Sequence, residues 1–265
     1  MSGIYIHIPF CKKACHYCNF HFSTNQNSKS AFIEAVCREL ILRKLEYASD
    51  EIQSIYFGGG TPTVLDVTEL NTILKTVYKN YKVSETAEIT LEANPDDIDL
   101  EKIKQLSNTK INRLSIGIQS FHESELSAMN RAHNATEAKK CLELATAYFD
   151  NITIDLMFGM PTMSIQLWRQ NLQIAFEFGI KHLSCYSLTV EPKTALEHFI
   201  KKGSHPPMDD ELAAQHFEVL LEETSAQGLT HYETCSFGHP DYFSKHNTSY
   251  WLGKTYMGVG PSAHS

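Results

Sequence analysis

Six short apolar runs, most of them holding β-branched residues, punctuate the chain: Gly3–Pro9, Ser54–Phe57, Glu88–Leu91, Arg113–Ile118, Ile152–Phe158 and His182–Leu188. Their length and composition predict buried strands. Between them apolar residues recur at spacing four. Phe32, Val36 and Leu40 run beside Ile33, Cys37, Ile41 and Leu45, a helical pattern. Asp66-Val-Thr-Glu69 ahead of Leu70 and Asn134-Ala-Thr-Glu137 ahead of Cys141 have the form of capping boxes. Gly179 after Leu167–Phe178 and Gly228 after Asp209–Gln227 stand where a helix-ending glycine is expected. Strand and helix alternate, which within one sheet means parallel strands joined by right-handed crossovers. The expected class is α/β, with a barrel-sized number of strands over 1–203. Gly203–Met208, holding two prolines, predicts a boundary. Beyond it an appendix over 204–265, continuous with the barrel, comprises the Asp209–Gln227 helix, a strand-like Leu229–Cys235 and a loop-rich tail ending in Gly258-Val-Gly-Pro-Ser-Ala-His-Ser265.

Composition narrows the reading without redirecting it. At 265 residues, 42% hydrophobic and 20% charged, the chain can bury an ordinary core, and α/β barrels reach about 250 residues as one domain. A net charge of -8 with no Lys/Arg block argues against nucleic acid as a partner. No basic leader or apolar span of about 20 residues is seen, so the expectation is a cytoplasmic protein without a membrane segment.

Cysteine changes the picture. Cys11, Cys15 and Cys18 form CxxxCxxC directly after the first predicted strand. Three thiolates so close can hold three irons of a 4Fe-4S cluster and leave the fourth iron without a protein ligand. Cys37, Cys141, Cys185 and Cys235 are scattered and read as small core residues; the total of seven does not fit a disulfide framework. The rival is zinc held by Cys11, Cys15, Cys18 and either His16 or His21. A closed zinc site explains nothing else in the chain, and the cluster is favoured.

The other motifs fall at the C-terminal ends of predicted strands, the face on which α/β barrels build active sites. Gly58-Gly59-Gly60-Thr61-Pro62 follows the second, Glu92-Ala-Asn-Pro95 the third, Gln119-Ser120 the fourth, and Gly159-Met-Pro161 the fifth, with Asp155 inside the fifth. Consecutive glycines bring backbone close to a ligand and suit an amino-acid ammonium and carboxylate beside a metal cluster. Glu92, Gln119 and Asp155 interrupt buried strands at a cost unless paired, so ligand contact is favoured over simple backbone satisfaction. Arg131, in Met-Asn-Arg-Ala-His, is balanced between surface and site.

Taken together, YIHIPFCKKACHYC, FGGGTP, EANP, RLSIGIQS, DLMFGMP and YETCSFGHPDYFSKHNTSYW resemble the radical S-adenosylmethionine family related to oxygen-independent coproporphyrinogen III oxidase, and within it the heme-chaperone branch. The resemblance implies a partial (β/α)6 barrel of TIM type with an α+β appendix. It also implies that S-adenosylmethionine chelates the open iron of a cluster on Cys11, Cys15 and Cys18, for one-electron cleavage of its sulfonium. By the same resemblance Tyr5, Gly59 and Glu92 match contacts to that molecule. Tyr17, Gly60, Thr61, Gln119, Arg131 and Asp155 match a second S-adenosylmethionine site of the oxidase. His246, in His246-Asn-Thr-Ser-Tyr-Trp251, matches a candidate heme ligand, with Tyr250 and Trp251 available to pack on a porphyrin; the bland alternative has Asn247 capping a helix, Trp251 filling a hole and His246 holding a loop. The oxidase has a further cysteine after the triplet where this chain has Asn19-Phe20, and an N-terminal extension where Tyr5 stands almost first. The resemblance therefore implies a heme carrier with an acceptor protein and a one-electron donor such as a flavodoxin or ferredoxin, ahead of coproporphyrinogen decarboxylation or a zinc-stabilised barrel. It further implies that family members continue past GVGPSAHS into a C-terminal domain, expected to be missing from these 265 residues.

Overall fold

The computed structural model describes residues 2–47 and 50–265. Six parallel strands lie side by side in chain order: β1 (Ser2–Ile8), β2 (Glu51–Gly59), β3 (Lys82–Ala93), β4 (Arg113–Gln119), β5 (Ile152–Phe158) and β6 (His182–Ser187). The helices α1 (Lys29–Leu42), α2 (Val67–Asn80), α3 (Leu100–Ser107), α4 (Glu123–Ala128), α5 (Ala135–Tyr148) and α6 (Ile165–Glu177) occupy the crossovers. This is the expected partial barrel.

The local signals form as the residues require. The Asp66 side chain accepts from Glu69 N–H while the Glu69 carboxylate accepts from Asp66 N–H, and Asn134 with Glu137 repeats the arrangement. Gly179 and Gly228, at φ 69° and 73°, turn the chain after α6 and after α8 (Asp210–Ala226).

Side chains alternate along the strands with a consequence for function. Ile4, Ile6, Ile8, Ile55, Phe57, Leu91, Leu114, Ile116 and Ile154 are fully buried in one core with Leu40, Leu70, Ile73 and Leu142 of the helices. The alternate positions turn into the barrel and are mostly polar. Ser54, Glu88, Arg113, Thr153 and His182 form its lower layer, and Thr90, Ser115 and Ser184 lie above them. The parallel sheet is thus apolar on its helix side and polar on its inner side.

The appendix is woven into this barrel. α7 (Ala195–Lys201) and α8 follow β6, and α8 packs on α6 and β5. The expected Leu229–Cys235 strand is reduced to β7 (Thr230–His231); after a bend, β8 (Ser236–Gly238) pairs antiparallel with β6. The tail expected to be loop-rich contains β9 (Tyr256–Val259), parallel to β1 at the opposite edge. Gly258 hides this strand because glycine reads as a breaker. In the fold a Cβ there would lie 2.0 Å from His264 O, so close backbone approach demands the glycine. Of the scattered cysteines, Cys141 and Cys185 are buried, whereas Cys37 and Cys235 are only partly covered.

Candidate functional site: a thiol-lined cavity at the strand ends

The loop after β1 is fastened on several sides. Cys11 N–H donates to Ser23 O (3.0 Å) and His16 N–H to Met129 O (3.1 Å); Leu196 N–H of α7 donates to His16 O (2.8 Å), and Asn130 Nδ2 to Ala14 O (2.8 Å). Next to it, Gly60 N–H donates to Ile8 O (2.8 Å) and Thr61 N–H to Phe10 O (2.7 Å). A Cβ at position 60 would lie 2.7 Å from Phe10 O, and Gly59 has φ 111° with His7 directly against it. The glycine run therefore serves close backbone approach.

Cys11, Cys15, Cys18, Tyr17, Gly59, Gly60, Thr61, Glu92, Gln119, Arg131 and Asp155 line one cavity of about 370 Å³. Tyr5 lies outside its lining, stacked on Tyr56 with its hydroxyl 3.2 Å from His7 Nδ1. Arg131 ties the cavity together. Nη1 donates to Cys15 Sγ (3.4 Å) and the Tyr17 hydroxyl (3.3 Å), and Nη2 to Asn94 Oδ1 and Gly117 O (2.7 Å each). Its Nε is buried without a hydrogen-bond partner among the described residues. Asn94, quoted within EANP but assigned no role from sequence, relays this to Thr61 (3.1 Å), whose hydroxyl donates to Cys11 Sγ (3.5 Å). Gln119 is held at φ 67°; behind it Ser120 and Asn171 meet the buried Glu125.

The electrostatics mark this as a place built for a charged ligand. Burial pushes Glu92 up to about 7 against the opposing bonds from the Tyr56 hydroxyl (2.9 Å) and Gly59 N–H (3.1 Å). Asp155 is also raised to about 7, by burial and then by the Glu92 charge. Two carboxylates that resist ionisation in a half-covered cavity favour a cationic group between them. Burial likewise raises the Cys11 thiol to about 11, a penalty that bonding to iron removes.

The donor set fits a 4Fe-4S cluster: three free thiols on one cavity wall, with Thr61 and Arg131 directed at two of the sulfurs. Neither His16 nor His21, the fourth ligand of the zinc alternative, lines this cavity.

His246 lies elsewhere. It sits on α9 (Lys245–Trp251), whose N-terminus is seated on Glu88 inside the barrel: the carboxylate accepts from Lys245 N–H (3.0 Å) and His246 N–H (3.1 Å). The ring is buried, with Nδ1 2.8 Å from Ser54 Oγ and Nε2 2.7 Å from the Tyr250 hydroxyl, and burial pushes it down to about 3. Both nitrogens are engaged by protein. Ser244, not Asn247, caps the helix, and Trp251 fills no hole: it is 64% exposed.

An open parallel barrel with a cysteine triplet at its strand ends is the architecture of a protein class, and the Radical SAM superfamily model matches residues 5–175. The chain belongs to the radical SAM superfamily, which implies a 4Fe-4S cluster and S-adenosylmethionine. Within it, the chain is 35% identical to the heme chaperone HemW of Bacillus subtilis (strain 168), over all of this chain and 70% of that protein. It is 34% identical to HemW of Escherichia coli (strain K12), over 99% of this chain and 69% of that protein. The fold also matches coproporphyrinogen III oxidase (HemN) from Escherichia coli, with a TM-score of 0.85 at 24% identity, over 98% of this chain and 63% of that one.

Cys11, Cys15 and Cys18 would hold the cluster, and Gly59 and Glu92, which line the same cavity, would meet the S-adenosylmethionine bound to it. Together the two groups supply one-electron reduction of a sulfonium. Arg131 holds Cys15 and Tyr17 in place and offsets thiolate charge on that wall.

Proposed function

We propose that this chain carries heme to an acceptor protein on a radical S-adenosylmethionine scaffold. What carries the reading is similarity along the whole chain to proteins named heme chaperone HemW, at 35% identity for the Bacillus relative. Asn19-Phe20 after the triplet supports it, since the oxidase pattern has another cysteine there. A flavodoxin or ferredoxin would reduce the cluster, and the compartment is the cytoplasm. Among the described residues no helix is long and apolar enough to cross a membrane.

The test is a pair of incubations of the cluster-reconstituted chain. With hemin, heme is retained through gel filtration and passes to an apo-acceptor. With coproporphyrinogen III, S-adenosylmethionine and reductant, no protoporphyrinogen accumulates. Decarboxylation over many turnovers would refute the carrier reading in favour of the oxidase.

A further inference from the structure

Asn94 stands between the two side chains that point at the cluster sulfurs. Its Oδ1 accepts from Arg131 Nη2 (2.7 Å), and its Nδ2 donates to the Thr61 hydroxyl (3.1 Å). The orientation of the amide follows from these neighbours. A guanidinium only donates, so the atom facing Arg131 must be the oxygen, and the NH2 group is left for Thr61. The Thr61 hydroxyl thus receives a hydrogen bond and keeps its own proton, which it directs at Cys11 Sγ (3.5 Å). On the other side Arg131, with Nη2 occupied by Asn94 and Gly117 O, turns Nη1 to Cys15 Sγ (3.4 Å). One amide therefore aims the donors at two of the three sulfurs.

The surroundings hold that amide still. Pro95 behind it keeps the Asn94 backbone extended (φ -101°, ψ 148°), and Asp97 N–H donates to Asn94 O (3.0 Å). The single turn Pro95–Asp97 is pinned to both loops that Asn94 serves. Lys12 of the cysteine loop pairs with Asp96 and Asp97, and the hydroxyl of Thr63, close to Thr61, donates to Asp97 (2.8 Å). β4 leaves room for the contact: a Cβ on Gly117 would lie 3.1 Å from Arg131 Nη2 and 3.3 Å from Asn94 Oδ1.

Hydrogen bonds and positive charge directed at cluster sulfur stabilise the form that carries one more electron, and so raise the reduction potential. We infer that Asn94 is a positioning residue that sets the reduction potential of the 4Fe-4S cluster, through Thr61 on Cys11 and through Arg131 on Cys15. The inference rests on the cluster that the superfamily implies and is independent of heme as cargo. A single electron enters from the donor protein and no bond forms or breaks; the two side chains offset the added negative charge.

The experiment is a dye-mediated redox titration of the reconstituted full chain without S-adenosylmethionine. It is followed by the electron paramagnetic resonance of the reduced cluster, with bound iron counted beforehand. Asn94→Ala removes both contacts. Asn94→Asp keeps the size and the bond to Arg131 but cannot donate, so Thr61 turns its proton from Cys11 to the introduced carboxylate. Both variants should hold parent levels of iron and be harder to reduce, by at least about tenfold in the reduction equilibrium, or about 59 mV for one electron. Thr61→Val removes the Cys11 branch alone, so Asn94→Ala should shift the potential less in that background than in the parent. A parent-like midpoint in both Asn94 variants would overturn the inference, as would an Asn94→Ala shift undiminished by Thr61→Val. Loss of iron in both variants would assign Asn94 to cluster retention and overturn the tuning role. A parent without a reducible cluster would bring down the cluster assignment and this role with it.

Discussion

Glu92→Gln tests the electrostatic account of the thiol-lined cavity. An ordinary glutamate titrates near 4.5, and burial holds Glu92 near 7. Below the lower value both folded and unfolded chains carry the proton. Between the two the unfolded chain sheds it and the folded chain keeps it, so the native state binds more protons and stability falls as pH rises. Above about 7 the full penalty is in place. At about 1.4 kcal/mol per pH unit the gap corresponds to about 3 kcal/mol, and a carboxylate facing a cavity that water enters retains about half, roughly 1–2 kcal/mol. Gln keeps an acceptor for Tyr56 or Gly59 without the titration. It also removes the charge that helps raise Asp155. Urea unfolding of the cluster-free chain at about pH 5 and about pH 8 reads the difference. The fall in stability between them should be smaller in the variant by roughly 1–2 kcal/mol. An equal fall in parent and variant would show that burial does not govern this carboxyl.

Three further outcomes follow from the geometry. Serine at Cys11, Cys15 or Cys18 should each abolish stable cluster assembly, read as bound iron and visible absorption after anaerobic reconstitution, whereas serine at Cys37 should not. Gly60→Ala drives a methyl against Phe10 O and Ile8 O, and should weaken S-adenosylmethionine binding by calorimetry and cost about 1–3 kcal/mol in chemical unfolding. Glu88→Ala leaves Arg113 buried without its carboxylate and the α9 N-terminus without its acceptor, so a loss of about 3–5 kcal/mol is expected, with faster amide exchange over 245–251 by mass spectrometry.

Five of the six central strands were legible from β-branched residues on the face that meets the helices, and β6 from Leu183 and Cys185 in a short apolar run; the helix starts were legible because Asp66 and Asn134 announce their own caps. The site was legible as far as it follows strand ends, which is why Glu92, Gln119 and Asp155 share a cavity. Arg131 was evenly balanced in the sequence because an arginine declares its partners only in three dimensions; here Cys15, Tyr17, Asn94 and Gly117 come from three separate segments. Asn94 stood in plain view within EANP, but without Arg131 it had no role. β9 was hidden for the opposite reason: its glycine serves packing against His264 and gives no strand signal. His16, considered only as a zinc ligand, acquires a different surrounding once Ala128 and Leu196 are folded against it.

The pairing of β9 with β1 sets a timetable for synthesis. Gly3 lies opposite Tyr256, and the neighbouring side chains of Ser2 and Thr255 meet across a separation of 253 residues. β1 therefore leaves the ribosome ahead of the other described strands, yet one of its edges stays bare until its partner, 253 residues further on, has been translated. Closing so long a loop is slow, and an unpaired edge strand is prone to stray pairing in the meantime. The same late segment delivers α9 to Glu88, so a nascent chain that has already emerged through β6 still lacks both its outer strand and the plug beneath its cavity. On this account, the cell must shield a half-made barrel before any cluster can be built into it.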